Sequence, residues 1–370
     1  MKANKIIIAI SLIAIIILGI FLAGCKEKEE EEVIKIGAVL PITGVESRVG
    51  DLSKNGLMMA ENEINMEGGI DGKQIEVLVE DYKSETKEGV TVYNYIKNIH
   101  AVPVILTIGS PVSMAMSPLV NEDEIILFSI SSTSSYSTPN DFTYRMVPSA
   151  EKEGKNMANL TYNKLGIKRL AVIYLNNDFG VGAKNGFISE YTNIGGEVFM
   201  EEAFNQEETD FRSYLTKIKG KDTDTLYIAS WGKQAGMIAK QAEEMGMDIQ
   251  FLCGQACQNP DLIKEGGNAV EGLIFPYTYA DKSASFYEDY SVKYGEEANQ
   301  IAERMYDFLK ISAKIIGDCG AENKECLLNQ LQSKEFNATS AKLKFDENGD
   351  PVEDMVLYVV RDSKFVLYEE

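Results

Sequence analysis

Short apolar segments alternate with longer amphipathic segments through most of this 370-residue chain, beginning at residue 33. The apolar runs predict strands and the amphipathic runs predict helices. Their order is strand 33–40, helix 52–67, strand 75–80, helix 86–98, strand 102–108, helix 113–121 and strand 125–130. Strands separated by helices pair into a parallel sheet through right-handed crossovers. This part of the chain therefore predicts an α/β unit.

The same alternation restarts at residue 169 and predicts a second unit. Its elements are strands 169–175, 197–203, 225–229, 249–253 and 272–276, and helices 182–192, 210–219 and 232–245. These strands are almost continuously apolar, which is typical of strands buried on both faces. We therefore predict an α/β fold with two doubly wound parallel-sheet units that join near Pro148.

The final part of the chain departs from this alternation. Three helical patterns come first and three strand patterns follow them. The helices are predicted at 284–294, 298–316 and 324–333, and the strands at 342–345, 354–360 and 365–368. The turn Glu347-Asn348-Gly349-Asp350 separates the first two of these strands, as a hairpin would require.

The amino terminus has the layout of an export signal. Lys2 and Lys5 precede an apolar run over 6–23, and the small residues Ala23 and Gly24 lead directly into Cys25. This ending resembles the lipobox of exported lipoproteins, in which the chain is cut before the cysteine and its thiol carries lipid. The alternative is an uncleaved membrane anchor, because 18 apolar residues approach the length that spans a bilayer. Both interpretations of segment 1–25 place the rest of the chain on the extracytoplasmic face of the cell membrane.

The chain is strongly acidic, with a formal net charge of −21. This charge argues against nucleic acid as a partner, because phosphates need neutralising Lys and Arg side chains. Segment 26–32 contains five glutamates and predicts a solvated tether that holds the fold away from the membrane.

Four cysteines remain once Cys25 is set aside. An even number in an exported chain favours two disulfides, and the pairs Cys253–Cys257 and Cys319–Cys326 would each close a short loop. A zinc site built from all four is the alternative, although their spacings fit it less well. The single histidine, His100, stands in a polar stretch, and no Ser-His-Asp or Cys-His arrangement with a suitable neighbourhood follows from it. A metal site with several histidine ligands is impossible. We therefore expect neither an enzyme nor a cofactor.

A series of short motifs spans about 33–370. They are Ile36-Gly37-Ala38-Val39-Leu40-Pro41 with Thr43-Gly44, Glu61-Asn62-Glu63-Ile64-Asn65, Gly68-Gly69-Ile70-Asp71-Gly72-Lys73, Glu80-Asp81, Gly109 with Ser113, the serine-rich turn 131–135, Arg145, Asn177-Asp178-Phe179-Gly180, Asp210-Phe211, Tyr306-Asp307, and Phe345-Asp346 with Gly349-Asp350. In this collinear order they resemble the type I periplasmic binding proteins of the Leu/Ile/Val-binding group. Each block alone is weak, and their shared order is the strong part of the resemblance.

The resemblance implies two lobes joined by three crossover segments. The N-lobe would comprise 33–147 plus 279–341, and the C-lobe 148–278 plus 342–370. A small polar ligand, a branched-chain or other amino acid, would bind in the cleft between them and be delivered by hinge closure to the membrane permease of an ABC transporter. A sensory receptor domain on the same fold is the alternative function.

The resemblance also implies which N-lobe residues bind the ligand. Ser113 matches the serine that holds a carboxylate at a helix start, although a serine there is also an ordinary helix cap. Ser132 and Ser134 match the residues that complete the site, and Thr133 between them either contributes or points into the core. Without the resemblance, this serine-rich turn would be interpreted as a polar loop.

On the C-lobe, the resemblance implies that Phe179, Trp231 and Gln255 approach the ligand. For the two aromatic residues, core packing is the alternative role. Gln255 departs from the family, whose amino-acid binders have an acidic residue facing the ligand ammonium there. A buried ammonium without a counter-charge is costly. Either another carboxylate moves in, or the ligand is an amide, a urea-like compound or a carboxylate without an amine.

Overall fold

Two sheets dominate the computed structural model, which describes residues 33–133, 138–221, 225–278, 284–339, 342–352 and 355–369. The first sheet is entirely parallel, and its strand order is β2-β1-β3-β4-β5. Its strands are β1 (Ile34–Leu40), β2 (Ile75–Asp81), β3 (Val104–Ile108), β4 (Ile126–Ile130) and β5 (Thr143–Arg145).

The second sheet has seven strands in the order β15-β14-β10-β9-β8-β6-β7. They are β6 (Arg169–Leu175), β7 (Glu197–Phe204), β8 (Thr225–Ala229), β9 (Gln250–Cys253), β10 (Ile274–Thr278), β14 (Met355–Arg361) and β15 (Lys364–Leu367). The first five pair with one another in parallel, whereas β14 and β15 add an antiparallel edge next to β10. Three short strands form a separate sheet, namely β11 (Phe336–Asn337), β12 (Lys342–Phe345) and β13 (Pro351–Val352).

Helices cover these sheets. In chain order the described α-helices are α1 (Ser47–Met66), α2 (Thr86–Ile99), α3 (Ser110–Asp123), α4 (Ala150–Asn159), α5 (Asp178–Asn193), α6 (Arg212–Ile218), α7 (Gly232–Glu244), α8 (Pro260–Gly266), α9 (Ser285–Tyr294), α10 (Gln300–Cys319) and α11 (Lys324–Ser333).

Both faces of the first sheet are buried, which explains its continuous apolar runs. From β1, Ile36 and Ala38 pack into a core with α1 and α10, whereas Val39 packs into a second core with α2 and α3. Every residue of β3 is buried. The side chains of a strand alternate between its faces, so a strand covered on both sides needs apolar residues throughout.

The predicted α/β class and the parallel lobes are confirmed, and several predicted elements differ from the structure. The short strand β5 and the helix α4 were not predicted. The helix predicted at 113–121 begins earlier, at Ser110, and the strand predicted at 342–345 lies outside the second sheet. Leu343 and Phe345 of that strand pack into the first-sheet core. The predicted lobe boundaries stay a prediction, because the packing of this one strand against the first-sheet core does not define where each lobe begins and ends.

A buried arginine at the end of β5 contacts two turns of the chain. Arg145, at the end of β5, is 1% exposed and lies 2.6 Å from a carboxylate oxygen of Asp350 in the turn after β12. Its guanidinium also donates to the carbonyl of Thr133. One residue thereby holds together the serine-rich turn after β4, the segment near Pro148 and the β12–β13 turn.

Two disulfides lie within short loops. Cys253 is joined to Cys257 with a Cα–Cα distance of 6.2 Å, and Cys319 to Cys326 with 5.7 Å. These are the two pairings favoured from the sequence. The first disulfide encloses a single 3₁₀ turn, Gln255–Cys257, directly after β9. It therefore restrains the loop that carries Gln255.

Candidate functional site

A cavity of about 360 Å³ lies between the two sheets. Residues that directly follow β3 and β4 form one wall, and residues that follow β6, β8 and β9 form the other. Open α/β sheets bind ligands at the carboxyl ends of their strands, so this is the expected location. The lining residues are Glu46, Val49, Ile108, Gly109, Ser110, Ile130, Ser132, Val147, Pro148, Glu153, Phe179, Trp231, Gln255, Ala256, Gln258, Asn259, Gln300 and Ile301.

The start of α3 forms part of the first wall. Gly109 precedes this helix with φ 109°, a conformation that strains any residue with a side chain. Ser110 follows it and lines the cavity. The first backbone N–H groups of a helix have no partner within it, and together with the helix dipole they favour an anion at this end.

Ser113 does not reach this cavity, and the prediction that it opens the helix is wrong. Its side chain is fully buried, and its hydroxyl donates to the carbonyl of Gly109 at 2.7 Å. Ser110, three residues earlier, occupies the position at the helix start that was predicted for Ser113. The signal that could have located the helix start is Pro111, because proline is favoured in the first turn.

The serine-rich turn after β4 has a divided role. Ser132 lines the cavity, and its carbonyl accepts the N–H of Ala150 at 2.8 Å. Thr133 is 4% exposed and is not among the residues that line the cavity. The predicted ligand residue Ser134 lies outside the described residues.

Two aromatic rings form part of the second wall. Phe179 lies in the first turn of α5, whose start is capped by Asn177, and Trp231 directly precedes α7. The rings are stacked, with centroids 6.4 Å apart and planes 18° from parallel. Trp231 is 36% exposed, which leaves much of its apolar surface free beside the cavity. The structure thus brings both predicted aromatic residues to one wall.

Gln255 also lines the second wall, and a carboxylate lies directly against it. The Gln255 N–H donates to Oε1 of Glu153 at 2.6 Å, and both side chains are buried. Burial raises the pKa of Glu153 to about 7, against a smaller lowering by that N–H. Glu153 belongs to α4 and was not predicted as a site residue.

A larger cavity, of about 470 Å³, lies elsewhere on the molecule. Its lining includes Ile34, which begins β1, and Pro103, which precedes β3. It is therefore at the amino ends of the first-sheet strands, where open α/β sheets do not bind ligands. The cavity between the sheets is the better candidate despite its smaller volume.

The described part of the chain offers no sign of a metal centre or a membrane span. No group of three or more His, Cys, Asp or Glu residues is placed there to hold a metal ion. No described helix is long and apolar enough to cross a bilayer. The apolar run at 6–23 and Cys25 lie outside the described residues.

Comparisons with known proteins identify a family and individual relatives with similar sequences. A family model described as "Periplasmic binding protein" matches residues 33–364. The Leucine-, isoleucine-, valine-, threonine-, and alanine-binding protein of Pseudomonas aeruginosa is 22% identical over 344 residues, which cover 91% of this chain and 90% of the relative.

Two solved structures resemble the fold over nearly its whole length. The leucine-binding protein of Thermotoga maritima is 27% identical with a TM-score of 0.77, and the match covers 91% of this chain and 98% of the other. A branched-chain amino acid transporter substrate-binding protein of Streptococcus pneumoniae, solved with isoleucine, is 26% identical with a TM-score of 0.75 over 90% of this chain and 98% of the other.

Proposed function

Because this chain belongs to the periplasmic binding protein family, we propose that it is the solute-binding protein of an ABC importer whose ligand is a branched-chain or other small amino acid. The observation that carries the proposal is the position of the cavity between the carboxyl ends of strands from both sheets. A ligand there touches both lobes at once. The names of the relatives, which bind leucine, isoleucine or valine, support the ligand class.

The first wall suits the carboxylate of an amino acid. The start of α3 offers the positive end of the helix dipole and the backbone N–H groups of its first turn, apart from Pro111, which has none. The hydroxyl of Ser132 can donate as well. The second wall suits an aliphatic side chain, because Phe179 and Trp231 present stacked apolar surface. Val49 also lines the cavity and leaves more room than an aromatic residue would.

Binding would favour the closed arrangement of the lobes. A ligand shifts a two-state equilibrium only by binding one state more tightly than the other. A molecule held by Ser110 and Ser132 on one side and Trp231 on the other makes its full set of contacts when the lobes are closed. The permease would then recognise the closed, loaded form.

We place the protein at the extracytoplasmic membrane surface, held by lipid on Cys25. Support comes from the small residues before Cys25 and from the acidic segment after it. Mass spectrometry of the membrane-extracted protein tests this placement. A chain that begins at Cys25 and carries the added mass of lipid supports it, and an intact chain that begins at Met1 contradicts it.

Calorimetric titration of the full-length protein in detergent tests the function. Alanine, valine, leucine and isoleucine are the probes, and we expect at least one to bind. Ser110→Ala should weaken that ligand about tenfold or more, since a hydrogen bond to a charged group contributes about 1.5–3 kcal/mol. Ser113→Ala is the matched control and should leave affinity unchanged, because its hydroxyl bonds within the helix. Failure of all four probes would refute the ligand class.

A further inference from the structure

Glu153 is a buried carboxylate with no cation beside it. Its side chain lies in the first turn of α4, lines the cavity and is 4% exposed. Its one hydrogen bond in the described structure is from the Gln255 N–H. No described residue pairs with it as a cation, and none of the residues lining the cavity is Lys, Arg or His. A charge in such a place is costly until something positive reaches it.

The loop after β9 is shaped around this carboxylate. A Cβ added to Gly254 would collide with Oε1 of Glu153, so the carboxylate fits here because residue 254 has no side chain. The disulfide between Cys253 and Cys257 holds the same loop. An apolar side chain would fill this space at lower cost, so a purely structural role does not account for a carboxylate here.

A second unused acceptor lies beside the first. Oε1 of Gln255 is buried and has no hydrogen-bond partner among the described residues. The carboxylate of Glu153 also keeps lone pairs beyond the one used by the Gln255 N–H. Two acceptors thus lie side by side at this wall, and no described cation pairs with either of them; the nearby buried hydroxyl of Tyr227 is a neutral donor. A primary ammonium carries three N–H donors and one positive charge, which is the complement of this pair.

We propose that Glu153, together with Gln255, binds the ammonium group of the ligand, so that the site takes amino acids and discriminates against carboxylic acids, amides and ureas without an amine. The inference rests on the proposed function and narrows its ligand class. Glu153 supplies the negative charge that the family resemblance assigns to position 255. The tertiary structure thereby compensates for Gln255 from a different helix.

If Glu153 binds the ligand ammonium, ligand binding releases a proton near neutral pH. In the free protein burial raises the pKa of Glu153 to about 7, so the carboxyl is part protonated there. An ammonium in contact would lower that pKa and expel the proton. The other titratable groups facing this region are Tyr227, from β8, whose pKa burial holds well above its ordinary value, and Glu46 across the cavity. On α4 itself, Lys152 is paired with Asp346 at 3.0 Å.

The test uses matched ligands that differ in the amine alone. Alanine, valine, leucine and isoleucine are titrated into the full-length protein in detergent beside propionate, 3-methylbutanoate, 4-methylpentanoate and 3-methylpentanoate. We expect the best amino acid to bind about tenfold or more tightly than its deaminated partner. Titration at pH 7 in buffers of different ionisation enthalpy should reveal release of part of a proton.

Two variants assign these effects to the carboxylate. Glu153→Gln should reduce amino-acid affinity by about 10- to 100-fold, leave the deaminated acid unaffected and abolish the proton release. Glu61→Gln is the matched control, because Glu61 also accepts a backbone N–H, from Val77 at 3.0 Å, and also has a pKa raised by burial, but does not line the cavity. It should change neither affinity nor proton release.

Several results would overturn the inference. Equal binding of an amino acid and its deaminated acid, or an unchanged ratio in Glu153→Gln, refutes it while leaving a solute-binding function intact. No binding by any of the eight compounds refutes the proposed ligand class and this inference with it. The affinity ratio and the proton release are measured on the unaltered protein, so they decide the question even if Glu153→Gln fails to fold.

Discussion

Raising the pH from 5 to 8 without ligand should destabilise the folded protein, and two buried carboxyls set the magnitude. Burial raises the pKa of Glu153 from 4.5 to about 7. The pKa of Asp307 rises from 3.8 to about 7, through burial first and the nearby Glu303 second. Both side chains are almost fully buried, at 4% and 2% exposed, so solvent screening does not reduce these shifts.

The sign follows from proton counts. Between the unfolded and the folded pKa, the folded state keeps a proton that the unfolded state has lost, so stability falls as the pH rises. Integrated from pH 5 to 8, each carboxyl contributes roughly 2–3 kcal/mol of lost stability. The loss should be complete slightly above pH 7. The carboxyls whose pKa values are lowered, such as Asp81 and Asp123, act at more acidic pH and do not offset it.

Urea denaturation of the full-length protein at half-unit pH steps measures this effect. Glu153→Gln and Asp307→Asn should each remove roughly half of the slope between pH 5 and 8, and the double variant should remove most of it. These two sites share no partner, so their effects should add. A stability that is flat or rising over this range would refute the reasoning, as would a slope that both variants leave unchanged.

Two further substitutions test the cavity wall. Replacing Cys253 and Cys257 by serine should cost about 2 kcal/mol of stability and also lower the affinity for the ligand, because that disulfide restrains the Gln255 loop. Replacing Cys319 and Cys326 should cost slightly more stability and leave the affinity unchanged. Equal effects of the two replacements on affinity would contradict this. Trp231→Ala should lower the affinity for leucine about tenfold with little change in melting temperature, since about 50 Å² of lost apolar contact is worth about 1.3 kcal/mol. An unchanged affinity would show that Trp231 is not part of the binding site.

The part of the site on the second wall was predictable because it follows strand ends. Phe179 and Trp231 come shortly after apolar runs that are strands in the structure, and parallel strands bring such residues to one edge. The family resemblance placed them together, and the shared edge of the strands supplies the physical reason. The first wall was less predictable, because Ser110 and Ser113 both stand near the start of α3 and differ by less than one helical turn.

Glu153 was missed for a different reason. The segment Ala150-Glu151-Lys152-Glu153 has the composition of a solvated helix start, and acidic residues in a first turn are ordinary there. Glu151 and Lys152 are indeed partly exposed, whereas Glu153, one residue further, is buried against Gly254. Local pattern cannot separate these neighbours, because the partner that buries Glu153 is distant in the sequence.

The sequence by itself determined the fold class, most of the order of strands and helices, and the family, and it favoured the cysteine pairs over a zinc site. Each follows from local periodicity or from motifs that lie close together along the chain. The tertiary structure alone decided which carboxylates line the cavity. Residues 153 and 255 are on separate elements, and folding brings them within 2.6 Å. A charge lost at one position of a cavity can be restored from another, because a ligand responds to the summed field of the wall rather than to sequence position.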